Sequence, residues 1–145
     1  MPFVTKPEYK ATRSMNAPLS QFDISNLFGL PASERYTYFL TEVAQAGKVW
    51  TLCGDGGFVA FCDEEGHDCF PFWPAPELAR ALADADWSDC KPEPLELDVF
   101  MNRWLKGMAK DDRQVSVFPA PDGTGIVMDP LALLQDLEEE LSQPD

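Results

Sequence analysis

Three residues whose side chains could do chemistry lie close together in the sequence: Cys62, His67 and Cys69. Thiolate sulfur and imidazole nitrogen are the ligands that zinc prefers, and an imidazole beside a thiol can generate a nucleophilic thiolate. The predicted strand register places Cys62 opposite His67 and diagonal to Cys69, on one face of a sheet. A metal site, or a Cys–His nucleophile pair, is therefore one interpretation of this cluster.

The spacing of the cysteines favours a different interpretation. Cys53, Cys62, Cys69 and Cys90 are separated by eight, six and twenty residues, without the paired C-x-x-C knuckles of structural zinc sites. His67 is the only histidine, and the sequence shows no residue to orient it and no oxyanion element. We therefore expect reduced, packed thiols, no cofactor and no catalysis. A metal-binding protein or thiol enzyme using Cys62, His67 and Cys69 is the alternative.

Net charge limits the partners that this chain can bind. Its 145 residues carry 25 Asp and Glu against 11 Lys and Arg, a net charge of -14. Residues 1–30 hold three basic and two acidic residues, and residues 31–145 hold eight and twenty-three. Such a field repels nucleic acids and anionic membranes and attracts basic proteins. The sequence has neither a run of about 18 apolar residues nor a secretory signal, so we expect a cytoplasmic protein.

The stretch 48–73 organises the predicted fold. Three short apolar runs alternate there with turns rich in Gly, Asp and Glu, which predicts an antiparallel three-stranded meander over residues 48–72. If the turns 54–57 and 63–66 are each four residues long, the alternation of side chains puts six apolar residues on one buried face. These residues are Trp50, Leu52, Val59, Phe61, Phe70 and Phe72.

Helical periodicity and capping residues predict five helices around this meander. Ser20, with Asp23 three residues later, is a typical helix start, and Gly29 ends that short helix. The other four helices are predicted to begin near Pro31, Pro76, Asp98 and Pro130.

Two further segments complete the predicted fold. Residues 114–128 predict a second hairpin, whereas the two prolines and alternating acids of residues 88–96 indicate a surface connection. The element order does not alternate as parallel α/β units do, which predicts an α+β fold with an antiparallel sheet of about five strands packed by helices. Residues 18–145 are predicted to form a single globular domain behind a weakly ordered N-terminal arm, residues 1–17.

A set of aromatic and proline-containing segments carries a family resemblance. The segments are Tyr36-Thr37-Tyr38-Phe39-Leu40, Val49-Trp50-Thr51-Leu52, Phe70-Pro71-Phe72-Trp73-Pro74, Trp104-Leu105 and Val117-Phe118-Pro119. In their order and spacing, the chain from Ser33 to Leu141 resembles a bacterial family of small proteins known as domain of unknown function 2750. The resemblance implies no activity, cofactor or site residues.

The leading functional hypothesis is an acidic intracellular protein that binds another, basic protein, as an immunity protein or an adaptor does. It rests on the charge and on the lack of a catalytic or phosphate-binding motif in the sequence, and it includes no nucleic-acid or membrane partner. The predicted contact surface joins an acidic turn to an exposed tryptophan: Asp63, Glu64 and Glu65 with whichever of Trp73 and Trp87 is exposed. An acidic mimic of nucleic acid is a third hypothesis, which requires carboxylates spaced like phosphates.

Overall fold

A computed structural model of the chain describes residues 19–142 apart from 55–56, 63–65, 67, 87–88 and 122–123. Over these residues the chain forms five helices: α1 (Gln21–Phe28), α2 (Ala32–Ala46), α3 (Pro76–Asp86), α4 (residues 97–110) and α5 (Pro130–Ser142). The strands are β1 (Lys48–Gly54), β2 (Gly57–Phe58), β3 (Phe61–Cys62), β4 (Asp68–Phe72), β5 (Lys91–Glu96), β6 (Gln114–Val117) and β7 (Ile126–Met128). The predicted N-terminal arm, residues 1–17, lies outside the described residues.

The described strands form two sheets rather than one. In the first, antiparallel sheet β1 lies between β2 and β5, and the second sheet has the order β3-β4-β6-β7. The second sheet is mixed, because β4 pairs with β6 in parallel, from Cys69 beside Gln114 to Phe72 beside Val117. A parallel pair needs a long crossover connection, and α3, β5 and α4 supply it. The α+β class is confirmed, and the predicted single antiparallel sheet of about five strands is wrong.

A β-bridge between Trp50 and Trp73 joins the two sheets. The backbone N–H of each tryptophan donates to the carbonyl of the other, at 2.9 and 2.8 Å. The hydroxyl of Thr51 also donates to the carbonyl of Pro71, at 2.8 Å. β1 therefore has hydrogen-bonded neighbours on both edges, and it is the central strand of the fold.

The predicted meander is right in its first turn and wrong in its second. The β1–β2 hairpin has the predicted pairing of Cys53 with Phe58. The second apolar run is then interrupted at residues 59–60, so that β2 belongs to one sheet and β3 to the other. β3 and β4 pair as Cys62 with Asp68, which leaves five residues between them instead of the four assumed. One extra residue shifts the register by one, so the predicted pairing of Cys62 with His67 is wrong.

The segment predicted as a surface connection contains strand β5. It pairs with the whole length of β1, from Lys48 beside Glu96 to Cys53 beside Lys91. Pro94 lies opposite Trp50. The backbone N–H and carbonyl of Trp50 both pair with Trp73, on the side away from β5. Pro94 therefore does not need to donate a hydrogen bond to β1, and its missing N–H weakens no pairing in the sheet. Because proline also cannot donate along the outer side, it protects this edge strand from pairing with another chain.

Helices cover both sheets and enclose one core. α2 and α3 pack on β1, and α2 also contacts α5 and β7. The bulkiest fully buried side chains are Trp73, Phe39, Phe72, Phe100 and Phe118. Trp50, which was predicted to lie in the core, is only half-buried, whereas Val49 and Thr51 from the opposite face are fully buried. The prediction assumed a sheet with one covered face, and the central position of β1 buries residues on both.

Local sequence signals located the helices to within a residue or two. At the start of α1, the side chain of Ser20 accepts the backbone N–H of Asp23, and the carboxylate of Asp23 accepts the N–H of Ser20. At the end of α2, Gly47 adopts the left-handed conformation with φ of 72°. Among the described residues, no helix is long and apolar enough to cross a membrane.

Candidate functional site

A cluster of three aromatic rings lies at the surface between β2, β4 and α4. The ring of Phe58 meets that of Trp104 edge to face, with centroids 4.7 Å apart, and Phe70 meets Trp104 at 6.3 Å. Phe58 is 41% exposed, and Phe70 and Trp104 are half-buried. We call Phe58, Phe70 and Trp104 the aromatic patch.

Buried rings beneath the aromatic patch fix its geometry. Phe72 lies two residues beyond Phe70 on the same face of β4, and its ring contacts Trp104 at 5.9 Å and Phe100 at 4.7 Å. Both Phe72 and Phe100 are fully buried. The surface rings thus extend outward from the core, so that binding a ligand to them orders few additional side chains.

Trp104 stands on an unusual segment of α4. Residues Phe100–Leu105 form a π-helix between the α-helical segments Leu97–Val99 and Lys106–Lys110. π-Helical residues make up well under 1% of protein structure, and they occur frequently at functional sites. The wider turn buries Phe100 and Leu105 and leaves Trp104 at the edge of the core.

An ion pair borders the aromatic patch. The guanidinium of Arg113 lies over the ring of Phe70, with its Cζ 5.5 Å from the ring centroid, and its Nε is 3.8 Å from Oδ2 of Asp68. The side chains of Arg113 and Asp68 are 42% and 51% exposed. At this exposure the pair contributes little to stability. Its charges remain accessible to a partner.

A second unusual group, the buried side chain of Arg35, has a structural role. Arg35 is 2% exposed, and its Nε donates to the carbonyl of Phe118 at 3.1 Å. Its Nη1 donates to the carbonyls of Leu30 at 2.6 Å and Phe28 at 3.4 Å, and its Nη2 to the carbonyl and hydroxyl of Thr124, both at 3.0 Å. These contacts occupy all the donors of the guanidinium, so that it links Phe118 to Thr124 and is not available to a ligand.

Phe118 is held in a strained conformation by these contacts. It is a non-glycine residue with φ of 51°, a region that costs about 1–3 kcal/mol outside glycine. Its N–H donates to the carbonyl of Phe72 at 2.8 Å, and its ring packs edge-on against Phe28. We did not predict this buried cluster from the sequence. The available signal was the position of Arg35 four residues before Phe39, on the apolar stripe of α2.

A half-buried phenol links α2 to α5. The hydroxyl of Tyr36 donates to Oδ2 of Asp136. Burial raises the pKa of Tyr36 well above its usual value of about 10, and the hydrogen bond to Asp136 and the charge of that carboxylate raise it further.

This raised pKa predicts a stability loss at alkaline pH. Above pH 10 the unfolded chain releases the Tyr36 proton while the folded chain keeps it, so that stability present below pH 10 falls as the pH rises toward the folded pKa. We expect Tyr36→Phe to lose less stability than wild type between pH 10 and about 11, although it is about 1 kcal/mol less stable at neutral pH. Urea denaturation across this range measures both effects. Parallel losses in the two proteins would contradict the assignment.

The predicted acidic and tryptophan surface is only partly within the described residues. Asp63, Glu64, Glu65 and Trp87 lie outside them. Trp73 is fully buried, and its indole Nε1 donates to the carbonyl of Pro119 at 3.0 Å. Trp73 therefore does not meet the condition of exposure, and Trp87 as the anchor stays a prediction. Its β-bridge to Trp50 places Trp73 between the two sheets.

The predicted Cys and His cluster is likewise described only in part. His67 and the side chain of Cys62 lie outside the described residues, and Cys69 is fully buried opposite Phe61. Within the part of the chain that the structure describes, no three His, Cys, Asp or Glu side chains are placed to hold a metal ion.

Comparison with models of known families gives a match over most of the chain. A family model described as protein of unknown function (DUF2750) matches residues 36–137, which is more than half of the chain. The matched range includes the whole aromatic patch and Arg113, and it begins one residue after Arg35. A comparison with curated proteins found no match.

Proposed function

The chain belongs to the DUF2750 family, whose function is unknown, and we propose from its own residues that it is a non-catalytic protein that binds a basic protein partner. The charge carries this proposal: eight basic against twenty-three acidic residues in 31–145. A field of this strength attracts a positively charged partner over distances of about a Debye length, roughly 8 Å at physiological salt.

The burial of Cys69 argues against its use as a nucleophile. A nucleophilic thiol has to reach its substrate, and the thiol of Cys69 is fully buried. A buried reduced cysteine acts as a small apolar residue.

Recovery of the partner from the native cell tests the proposal. The tagged protein is purified at low and at physiological salt, and bound proteins are identified by mass spectrometry. We expect a protein of net positive charge that is retained better at low salt, because screening weakens the attraction between opposite charges. Partners that are acidic or neutral, or retention that does not depend on salt, would contradict the proposal.

Two charge-reversal variants with the same net charge test whether the acidic turn faces the partner. We expect Glu64→Lys with Glu65→Lys to slow association with the recovered partner more than it speeds dissociation, because charges beside an interface act mainly on the association rate. The control is Glu138→Lys with Glu139→Lys, which makes the same change in net charge at exposed positions of α5. Equal effects of the two double variants would mean that the acidic turn does not face the partner.

A further inference from the structure

We propose that the aromatic patch is the docking face and that it receives an apolar side chain from a basic segment of the partner. This inference rests on the proposed function, which it makes specific. The exposed ring of Phe58, 41% accessible, stands against Trp104 at 4.7 Å, and that pair rests on the buried ring of Phe72. Exposed rings backed by core rings form a firm apolar surface, and tryptophan and arginine are the residue types enriched at the centres of protein interfaces.

The position of Arg113 adds a polar anchor beside the rings. Its guanidinium covers one side of Phe70 at 5.5 Å and is held to Asp68 only by a 3.8 Å contact at a half-exposed site. Such a contact is weak in water and strengthens when a partner excludes water from it. Arg113 can therefore donate to a backbone carbonyl of the docked segment while its stem continues to pack on Phe70.

The charges around the aromatic patch select a basic segment. Asp68 lies on its border, and the exposed Asp111 and Asp112 directly precede Arg113 in the chain. Against these three carboxylates stand Arg113, the exposed Lys110, and the exposed Arg103 and Lys106 on either side of Trp104 in the chain. In the sequence, three further carboxylates, Asp63, Glu64 and Glu65, precede Asp68 by three to five residues. An apolar side chain flanked by Lys or Arg complements this arrangement, whereas an acidic segment is repelled.

Photo-crosslinking in the native cell tests the docking face. The photoreactive amino acid p-benzoylphenylalanine replaces Phe58 in one protein and Phe22 in a second. Phe22 is the matched control, because it is 74% exposed on α1 and lies outside the aromatic patch. We expect a light-dependent adduct from position 58 whose crosslinked partner peptide carries net positive charge, and none from position 22. No adduct at position 58, or the same adduct from both positions, would overturn the proposal.

Binding of the crosslinked partner to Phe58→Ala separates this inference from the proposed function. We expect a loss of about tenfold in affinity, with the salt dependence of association retained and the melting temperature close to that of wild type. Unchanged affinity with salt-dependent association would reject the aromatic patch and leave the proposed function standing. Loss of the salt dependence in wild type itself would reject the proposed function.

Discussion

Replacing Trp73 by alanine is expected to lower the free energy of unfolding by about 4 kcal/mol. Trp73 is the largest fully buried side chain among the described residues, and its backbone forms the bridge between the two sheets. Truncation removes packed apolar surface and leaves a cavity, and it also leaves the buried carbonyl of Pro119 without the indole donor. Both effects destabilise the folded state. Urea denaturation at neutral pH measures the change.

Two further variants separate the causes of this loss. Trp73→Phe keeps most of the apolar surface but not the donor to Pro119, so we expect a loss of about 2 kcal/mol. Trp50→Ala removes a half-buried ring from the other side of the same bridge, and we expect it to cost less than Trp73→Ala. A loss below about 1 kcal/mol for Trp73→Ala would contradict the burial of its ring.

Replacing Arg35 by methionine is expected to cost about 3 kcal/mol. Methionine keeps an apolar stem of similar length, so that the loss reports mainly on the guanidinium. Substituting both partners of a buried ion pair by apolar residues is often harmless, because no charge is left behind. Arg35 differs, because its partners are neutral backbone carbonyls that stay in place. Those of Leu30 and Phe118 lose the guanidinium donor, whereas that of Thr124 still accepts the N–H of Ala120.

An exposed arginine provides the control for this substitution. Arg80 is exposed on α3, and we expect Arg80→Met to change stability by no more than about 0.5 kcal/mol. Arg35→Lys is expected to fall between wild type and Arg35→Met, because one ammonium cannot donate in the three directions that the guanidinium serves. Equal stabilities of Arg35→Met and Arg80→Met would contradict the structural role of the buried guanidinium.

Features set by near neighbours in the chain were predictable from the sequence. The capping box at Ser20 and the left-handed Gly47 mark helix ends because each depends on a few adjacent residues. The β1–β2 hairpin was predicted in its correct register for the same reason, since two glycines and a short turn fix it.

Features set by distant parts of the chain were not predictable in the same way. The parallel pairing of β4 with β6 depends on how the crossover connection, residues 73–113, packs, and no local pattern encodes it. β5 was not predicted, because Pro92 and Pro94 normally argue against a strand. Both prolines are tolerated in β5 because they stand at positions where β1 accepts no N–H from β5. One unforeseen residue in the turn before β4 changed the register of that hairpin.

The residues of the candidate site also come together through contacts between distant parts of the chain, so the sequence did not predict them. The sequence predicted a contact surface of acidic residues beside whichever of Trp73 and Trp87 is exposed, and the bridge to Trp50 buries Trp73. Neither Phe58 nor Trp104 was predicted to belong to this surface. Only the crossing of α4 over β4 brings Trp104 beside Phe58 and Phe70. Arg35 was missed because a charged residue on an apolar stripe is unusual, and its carbonyl partners are distant in the sequence.

The association rate of the recovered partner, measured by stopped flow at low and physiological salt, tests the central claim most directly. Trp104 supplies the fluorescence signal if the partner docks on the aromatic patch, which joins its ring to Phe58 at 4.7 Å. We predict that the rate falls several-fold as the Debye length shortens from about 30 Å at 0.01 M to about 8 Å at 0.15 M salt. An association rate that is the same at both salt concentrations would contradict electrostatic recruitment of a basic partner.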